Sequence, residues 1–442
     1  MSTASGYFEV GERGSNIGTE VLAGVATYLS LAYIFVVNPA ILSQAGMDPS
    51  AVLFATVVAS GVSTLVMGLW ARLPFALAPG LEMNGFFAFA VVGTMGLTWQ
   101  QALGTVFWSG ILCILFTWLP VRQKIIDSIP DKLKVSIAFS VGIFVMTIGL
   151  FLAKIVAFDK GVLQWSALTP ESLVSDRAII LYFGLAVAAL LGLKKLNFPG
   201  GMLVAIIAST ILCKHYGITV QHPAELSSEM FSALFQLDLT SVFDPRFLAV
   251  LIIFFIIDFY GSIGKFIGLT AATNLQSNGQ VKNIDKALYV DGAGTVLGSV
   301  VGTSSIITYV ESAVDIASGG RTGIVAIVCG TLMLASIVFT PLVGLVSVEA
   351  TAGILAYVGW LLLPREQIRA SHIEFDRFDW AIAIGMGLLT FLTFSLDKPL
   401  LMGFWAYQFR SMWQGQKTNW YLLTAALALT IAVIAQFVQN IT

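Results

Sequence analysis

The side chains able to do chemistry in this chain are a few ionisable residues inside apolar sequence. Asp258 stands in FFIIDFYGSIG behind eleven consecutive apolar residues, Glu311 in ITYVESA, about two turns inside its expected half-helix, and Glu82 in APGLEMNGFF; Asp291, Lys265 and Asp315 lie in similar runs. A charge at the centre of a bilayer costs at least about 2.5–3.5 kcal/mol, so such residues face a protein interior and have a task there. Asp258 and Glu311 read as carboxylates that bind a substrate or titrate a proton, the alternative being polar residues that cap a broken helix. Asp291, nearer the start of its run, reads as a cap or packing residue. Lys265 and Asp315 read equally as interfacial or paired. Asn84 offers two donors and an acceptor and reads as a ligand contact, with helix satisfaction as the alternative. Phe86, Phe87, Phe259 and Tyr260 could stack on a flat ligand, although with 31 phenylalanines packing is the plainer role for each.

Other chemistries find no residues. Cys113, Cys213 and Cys329 are far apart in apolar runs, and His215, His222 and His372 are widely spaced, so neither a disulfide framework nor a zinc or redox metal centre is expected. No cofactor is expected. GGRTG at 319–323 lacks the spacing and lysine of a phosphate loop and reads as a turn. A net charge of −2 excludes a generally basic nucleic-acid binder.

These residues need a scaffold, and the composition says which kind. Of 442 residues, 57% are hydrophobic and 11% charged, less than half the charge of an ordinary soluble domain. The chain reads as an all-α polytopic membrane protein. A span needs roughly 20 apolar residues, and the candidates are 21–42, 51–70, 75–95, 101–120, 133–153, 178–193, 200–215, 247–270, 286–301, 303–318, 323–345, 348–363, 380–396 and 399–412. A further apolar stretch, 420–438, either crosses or lies at the inner interface. The connection 216–246 holds an amphipathic stretch at Met230–Leu237 that is expected to lie along the interface. The first twenty residues show no cleavable signal pattern, so the first span is expected to direct its own insertion. With the N-terminus inside, sixteen of the 23 Lys/Arg fall on the inner side and six outside, the sense of the positive-inside rule.

Fourteen spans cut after residue 246 give two sevens that enter from opposite sides. SGVSTLV (60–66) reads against DGAGTVL (291–297), and PGGMLVAI (199–206) against PLLMGFW (399–405), in the order an inverted repeat requires. The third span carries Pro79–Gly80 in its middle, and the tenth opens on Gly302, Thr303, Ser304 and Ser305. Interrupted segments at matching places in two halves point to a midplane site, with half-helix N-termini aimed at one cavity.

IIDFYGSIG, VDGAGTVLGSVVGTSS, YVESAVDIASGGRTG and LAPGLEMNGFFAF resemble, in that family's order, the hypoxanthine/guanine/adenine permease branch of the nucleobase–cation symporter-2 family. The likeness is densest over 247–363 and clear over 18–95. It implies 14 transmembrane spans as 7+7 inverted repeats with short broken spans 3 and 10. It further implies a cytoplasmic N-terminus at 1–20, a core domain of 21–122 and 247–346, and a gate domain of 123–216 and 347–415. An extracytoplasmic connection at 217–246 and a C-terminal hydrophobic segment at 416–442 complete the division. The implied activity is import of a purine nucleobase across the inner or plasma membrane with a co-transported proton, often as a homodimer. Matched residue by residue, Asn84, Asp258 and Glu311 bind the base, with Glu82, Phe86 and Ser304 as further candidates. Glu311 is then the substrate clamp and Asp258 the proton-coupling group, or the reverse. The chain departs from the pattern at Gly261, where a second acid is usual, at Glu82, where glycine is usual, and at Asp315, where a small residue is usual. One carboxylate has on this reading moved from the eighth span to the third.

Three rivals remain. A xanthine or uracil permease differs only in the base. A sulfate-type anion transporter resembles the same architecture, but its site should be cationic or rely on helix N-termini, and this centre is acidic. An intramembrane aspartyl protease using Asp258 and Asp291 would need motifs that DFYG and VDGA do not match.

Overall fold

The computed structural model describes residues 6–119, 130–159, 162–164, 169–192, 200–218, 227–240, 245–270, 275–277, 280–364, 374–415 and 419–439. The apolar intervals coincide with helical structure whose ends differ by a few residues, except 75–95 and 303–318, where helix starts only at Leu81 and Ser312. The helices used below are α1 (Ile17–Leu31), α2 (Ile34–Leu42), α3 (Pro49–Val66), α4 (Leu81–Gly85), α5 (Trp99–Trp118), α6 (Asp131–Leu152), α7 (Asp176–Gly192) and α8 (Gly201–His215). They continue with α9 (Pro245–Thr270), α10 (Ile284–Val301), α11 (Ser312–Ala317), α12 (Gly323–Ala335), α13 (Val348–Leu362), α14 (Arg377–Thr393), α15 (Asp397–Trp413) and α16 (Trp420–Gln439). Among the described residues, five helical segments, such as Asp131–Leu152, are long and apolar enough to cross a bilayer, and shorter apolar helices accompany them.

Local chemistry sets the helix starts. Asn16 Oδ1 accepts the Thr19 N–H at 3.0 Å at the head of α1. Asp48 does the same for Ala51 at 2.9 Å, with Pro49 in the first turn of α3, where its missing N–H costs nothing. Thr98 and Gln101 form a reciprocal capping box on α5. The buried Glu20 of α1 accepts the N–H groups of Arg321 (2.9 Å) and Thr322 (3.0 Å), so its carboxylate caps α12 across the helix interface.

The closest packing falls into two sets. In one, α10 lies along α5, α12 along α3 and α1, and α9 against α5. In the other, α6 lies along α13 and α14, and α7 along α13 and α8. Small residues let the backbones approach: a Cβ at Gly353 of α13 would sit 2.7 Å from the Gly184 Cα of α7. A buried carboxylate ties the second set, Asp379 of α14 receiving Lys132 of α6 at 2.6 Å and Arg410 of α15 at 2.6 Å.

Met230–Leu237 begins in one 3₁₀ turn, Ser228–Phe231, and continues as loop. Helix ends satisfy that loop's backbone, Phe235 N–H donating to the Val300 carbonyl and Asp238 N–H to that of Gln100, both at 2.9 Å. The stretch 420–438 forms α16, packed on α9 and α15.

Candidate functional site

The third and tenth intervals are each broken by a short strand. β1 (Leu77–Pro79) pairs antiparallel with β2 (Ile306–Thr308) in the register Leu77↔Thr308, Ala78↔Ile307, Pro79↔Ile306. Pro74, Pro79 and Gly80 forbid helix on one side. On the other, Gly302 adopts φ 106°, a left-handed cap that ends α10 and turns the chain back into β2. Buried strands this short expose backbone groups, and neighbours pair them. Gly80 N–H donates to the Ser305 carbonyl and Tyr309 N–H to that of Ala76, each at 3.0 Å. Ser312 Oγ accepts the Ala76 N–H at 3.0 Å, and Thr64 Oγ1 of α3 accepts that of Leu77 at 2.9 Å.

A small crevice opens where this ribbon meets the second helix set. Tyr33, Glu82, Lys265, Tyr309 and Glu311 supply its polar lining, and Val358 and Leu362 of α13 form the facing wall. Lys265 Nζ lies 3.2 Å from Glu82 Oε1. Tyr33 donates its hydroxyl proton to Glu311 Oε1 at 2.7 Å, while Glu311 Oε2 is buried and has no hydrogen-bond partner. Tyr309 donates to the Pro79 carbonyl, which locks β1 to the strand–helix turn. A buried carboxylate oxygen lacking a donor is costly unless a ligand N–H completes it. The crevice therefore offers two acceptors, one cationic donor and an apolar wall.

The expected site residues divide. Glu82 and Glu311 meet in the crevice; Asn84, Asp258, Phe86 and Ser304 do not line it. Asn84 Oδ1 receives the Ser304 hydroxyl, joining the two broken segments behind the ribbon, and Asn84 Nδ2 has no partner. Phe86 is fully buried, its ring 5.2 Å from that of Phe254. Asp258 is fully buried between α9 and α10, where it receives the Thr295 hydroxyl at 2.9 Å. Asp291 receives Ser262 at 2.6 Å and the Thr308 N–H at 3.1 Å. Glu311 lies in the turn before α11, not two turns inside a helix, because β2 takes up the residues the helix was expected to use. The side chain of Asp315 falls outside the described residues.

Sequence reasoning left Lys265 undecided and passed over Tyr33 and Tyr309. Lys265 could have been found by spacing, since it follows Gly261 by four residues and Asp258 by seven on one helix.

Buried acids at two strand-interrupted segments, within a bundle of apolar helices, define a multi-pass membrane permease rather than an enzyme. The chain belongs to the nucleobase–cation symporter-2 family: the profile described as "Permease family" (xanthine/uracil permeases) matches residues 18–364. It is 37% identical to the putative permease MJ0326 of Methanocaldococcus jannaschii, with 98% of each chain covered. It is 31% identical to the adenine permease AdeQ of Escherichia coli (98% of this chain, 96% of the relative). It is 32% identical to the guanine/hypoxanthine permease PbuO of Bacillus subtilis (90% and 93%). Among solved structures, the fold is similar to the transmembrane domain of a cyanobacterium bicarbonate transporter, BicA, with a TM-score of 0.65 at 16% identity, covering 87% of this chain and 96% of that one.

Proposed function

We propose that this chain is a secondary active transporter that imports purine nucleobases of the hypoxanthine, guanine and adenine class by proton symport with alternating access. The observation that carries this reading is the crevice, in which the unpartnered Glu311 Oε2 faces the same space as Lys265 and Glu82. A purine edge alternates N–H donors with ring-nitrogen or carbonyl acceptors. Glu311, its plane fixed by Tyr33, accepts a base N–H; Lys265 donates to an acceptor of the base; Val358 and Leu362 cover apolar surface of the base. The purine permeases among the relatives support the substrate class. Asn84 and Ser304 hold the broken segments in register from behind.

The fourteen-span layout with two inverted sevens is part of the proposal, supported by the pairing of β1 with β2, which come from the third interval of each half. Residues 21–122 and 247–346 form the core and 123–216 and 347–415 the gate, in line with the two packing sets. The N-terminus is placed in the cytoplasm, a reading the Lys/Arg bias supports, and the working unit is a homodimer in the lipid bilayer. Proton coupling resides in Asp258.

Uptake of radiolabelled purines into vesicles with an imposed pH gradient, with and without sodium, tests the reading. Accumulation that needs the inward proton gradient and not sodium is expected, with hypoxanthine, guanine and adenine competing better than xanthine or uracil. Accumulation of bicarbonate or sulfate without any purine uptake would replace it with the anion reading, in which Lys265 would be the anion's cation.

A further inference from the structure

We infer that Phe89 is the outer gate of the transport path and that this structure holds it shut. The gating role rests on the transport reading above; the seal itself does not. Phe89 lies in the helical run Phe86–Thr94 that continues α4. It stands seven residues beyond Glu82, about 10 Å along the axis. Its ring is buried and reaches across to the second helix set, with its centre 5.1 Å from that of Phe151 on α6 and 5.1 Å from that of Phe394 at the end of α14. Phe394 is in turn 5.5 Å from Phe144 of α6 and stacked on Phe158 at 4.3 Å, with the two planes 14° apart. Two rings receive Phe89, and two more brace them.

With the N-terminus inside, the intervals 75–95, 133–153 and 380–396 all run outward, so Phe89, Phe151 and Phe394 stand toward their outer ends. The connection that holds Phe158 is then outside. The interval 348–363 runs inward and puts Val358 and Leu362, the apolar wall of the crevice, in its inner half. The crevice thus lies toward the inner side, with the rings between it and the outside.

Two features separate this seat from ordinary core packing. Phe394 has φ 45°, in the left-handed region, where a bulky side chain costs free energy and glycine does not. What phenylalanine adds on that backbone is the ring that receives Phe89. A Cβ at Gly85 would overlap Ile148 of α6, so the half-helix lies flush on α6 between Glu82 and Phe89. Glu82 and Phe89 share that half-helix. A displacement that carries Glu82 and a bound base past α6 therefore lifts Phe89 from its seat, and the outer path opens as the substrate arrives there.

Thiol labelling in vesicles of known orientation tests this, with Val310→Cys as the reporter in the crevice and the native cysteines buried. A membrane-impermeant maleimide should reach the reporter faster from the inner face than from the outer. Adding Phe89→Ala should raise the outer rate about tenfold or more, as loss of a buried apolar ring implies, and Phe89→Leu, which refills the seat, should not. Phe394→Gly removes a receiving ring on a backbone that suits glycine, so it decides the matter where Phe89→Ala does not fold, and it should raise the outer rate likewise. An outer rate equal to the inner one with both rings intact, or outer rates unchanged by Phe89→Ala and Phe394→Gly, overturns the inference. Labelling needs no substrate, so it decides the seal even where vesicles of the wild-type protein take up no purine, a result that overturns the transport reading instead.

Discussion

At the scale of single residues, the proposed shift of a carboxylate from position 261 to Glu82 turns on Lys265. The family resemblance implies an acid where this chain has Gly261; here a Cβ at Gly261 would meet no atom within 4 Å, and the carboxylate paired with Lys265 is that of Glu82. An acid at 261 would stand four residues before Lys265 on α9, the spacing that pairs charges along a helix. Glu82→Gly alone should therefore strand Lys265 and cut uptake, while Glu82→Gly combined with Gly261→Asp should restore it with altered preference among bases. Failure of the double variant to recover any uptake would show that the carboxylate has not simply changed helices. Glu311→Gln keeps the shape of the clamp but loses its charge, and binding measured by equilibrium dialysis should weaken roughly 10- to 100-fold, the worth of a charged hydrogen bond. The acids were legible because charge in an apolar run is conspicuous. Hydropathy reports depth and not direction, however, so nothing in the sequence told the crevice-facing Glu82 and Glu311 from Asn84 and Asp258, which point elsewhere. Tyr33 was invisible for a related reason: a tyrosine near a break between α1 and α2 acquires its role only from Glu311, 278 residues away.

At the scale of elements, helix existence and the two interruptions were legible because apolar length, Pro79–Gly80 and Gly302 are local signals. The depth of Glu311 was misjudged because strand pairing between β1 and β2 is not local. Close helix approach was likewise hidden in glycines that look alike in sequence. Gly353→Ala should lower thermal stability, by about 1–3 kcal/mol as overpacking does, because its Cβ meets the backbone of Gly184. Gly261→Ala, with open space around it, should be neutral or slightly stabilising, and equal melting temperatures for the two would contradict the packing. The N-terminal segment gives a pH prediction. Glu9 accepts Lys282 at 2.6 Å and Arg13 at 3.2 Å, and these partners, Lys282 foremost, hold its carboxyl below the ordinary 4.5. The docking they provide is complete above that value and is lost as pH falls through the lower folded one. A spin label on Gly6→Cys, where added atoms meet nothing within 4 Å, should stay immobile from neutral pH downward and become mobile only below about 4.5. With Glu9→Gln it should be mobile throughout.

At the scale of the whole molecule, the crevice takes its polar lining from the helix set of α1, α3 and α9 and one apolar wall, Val358 and Leu362, from α13 of the other. A substrate held between two bodies, bonded to one and merely covered by the other, can be exposed to either side of a membrane if the covering wall slides past. Apolar contacts such as those of Val358 and Leu362 suit sliding, since they have no hydrogen bonds to break, whereas the Glu82–Lys265 and Tyr33–Glu311 pairs lie within the first set and, on the proposed reading, would travel with the substrate. Cysteines introduced at Val310 and Leu362 on opposite walls, joined by a short reducible cross-linker, should therefore arrest both uptake and exchange, with recovery on reduction. The native Cys113, Cys213 and Cys329 are buried and should not compete for the reagent. A control pair at Tyr7 and Leu69, which touch within the first set through the Tyr7 hydroxyl and the Leu69 carbonyl at 2.8 Å, should leave uptake intact when joined. Transport that persists with the opposite walls tied, or stops equally in the control, would mean that the two helix sets do not move against each other.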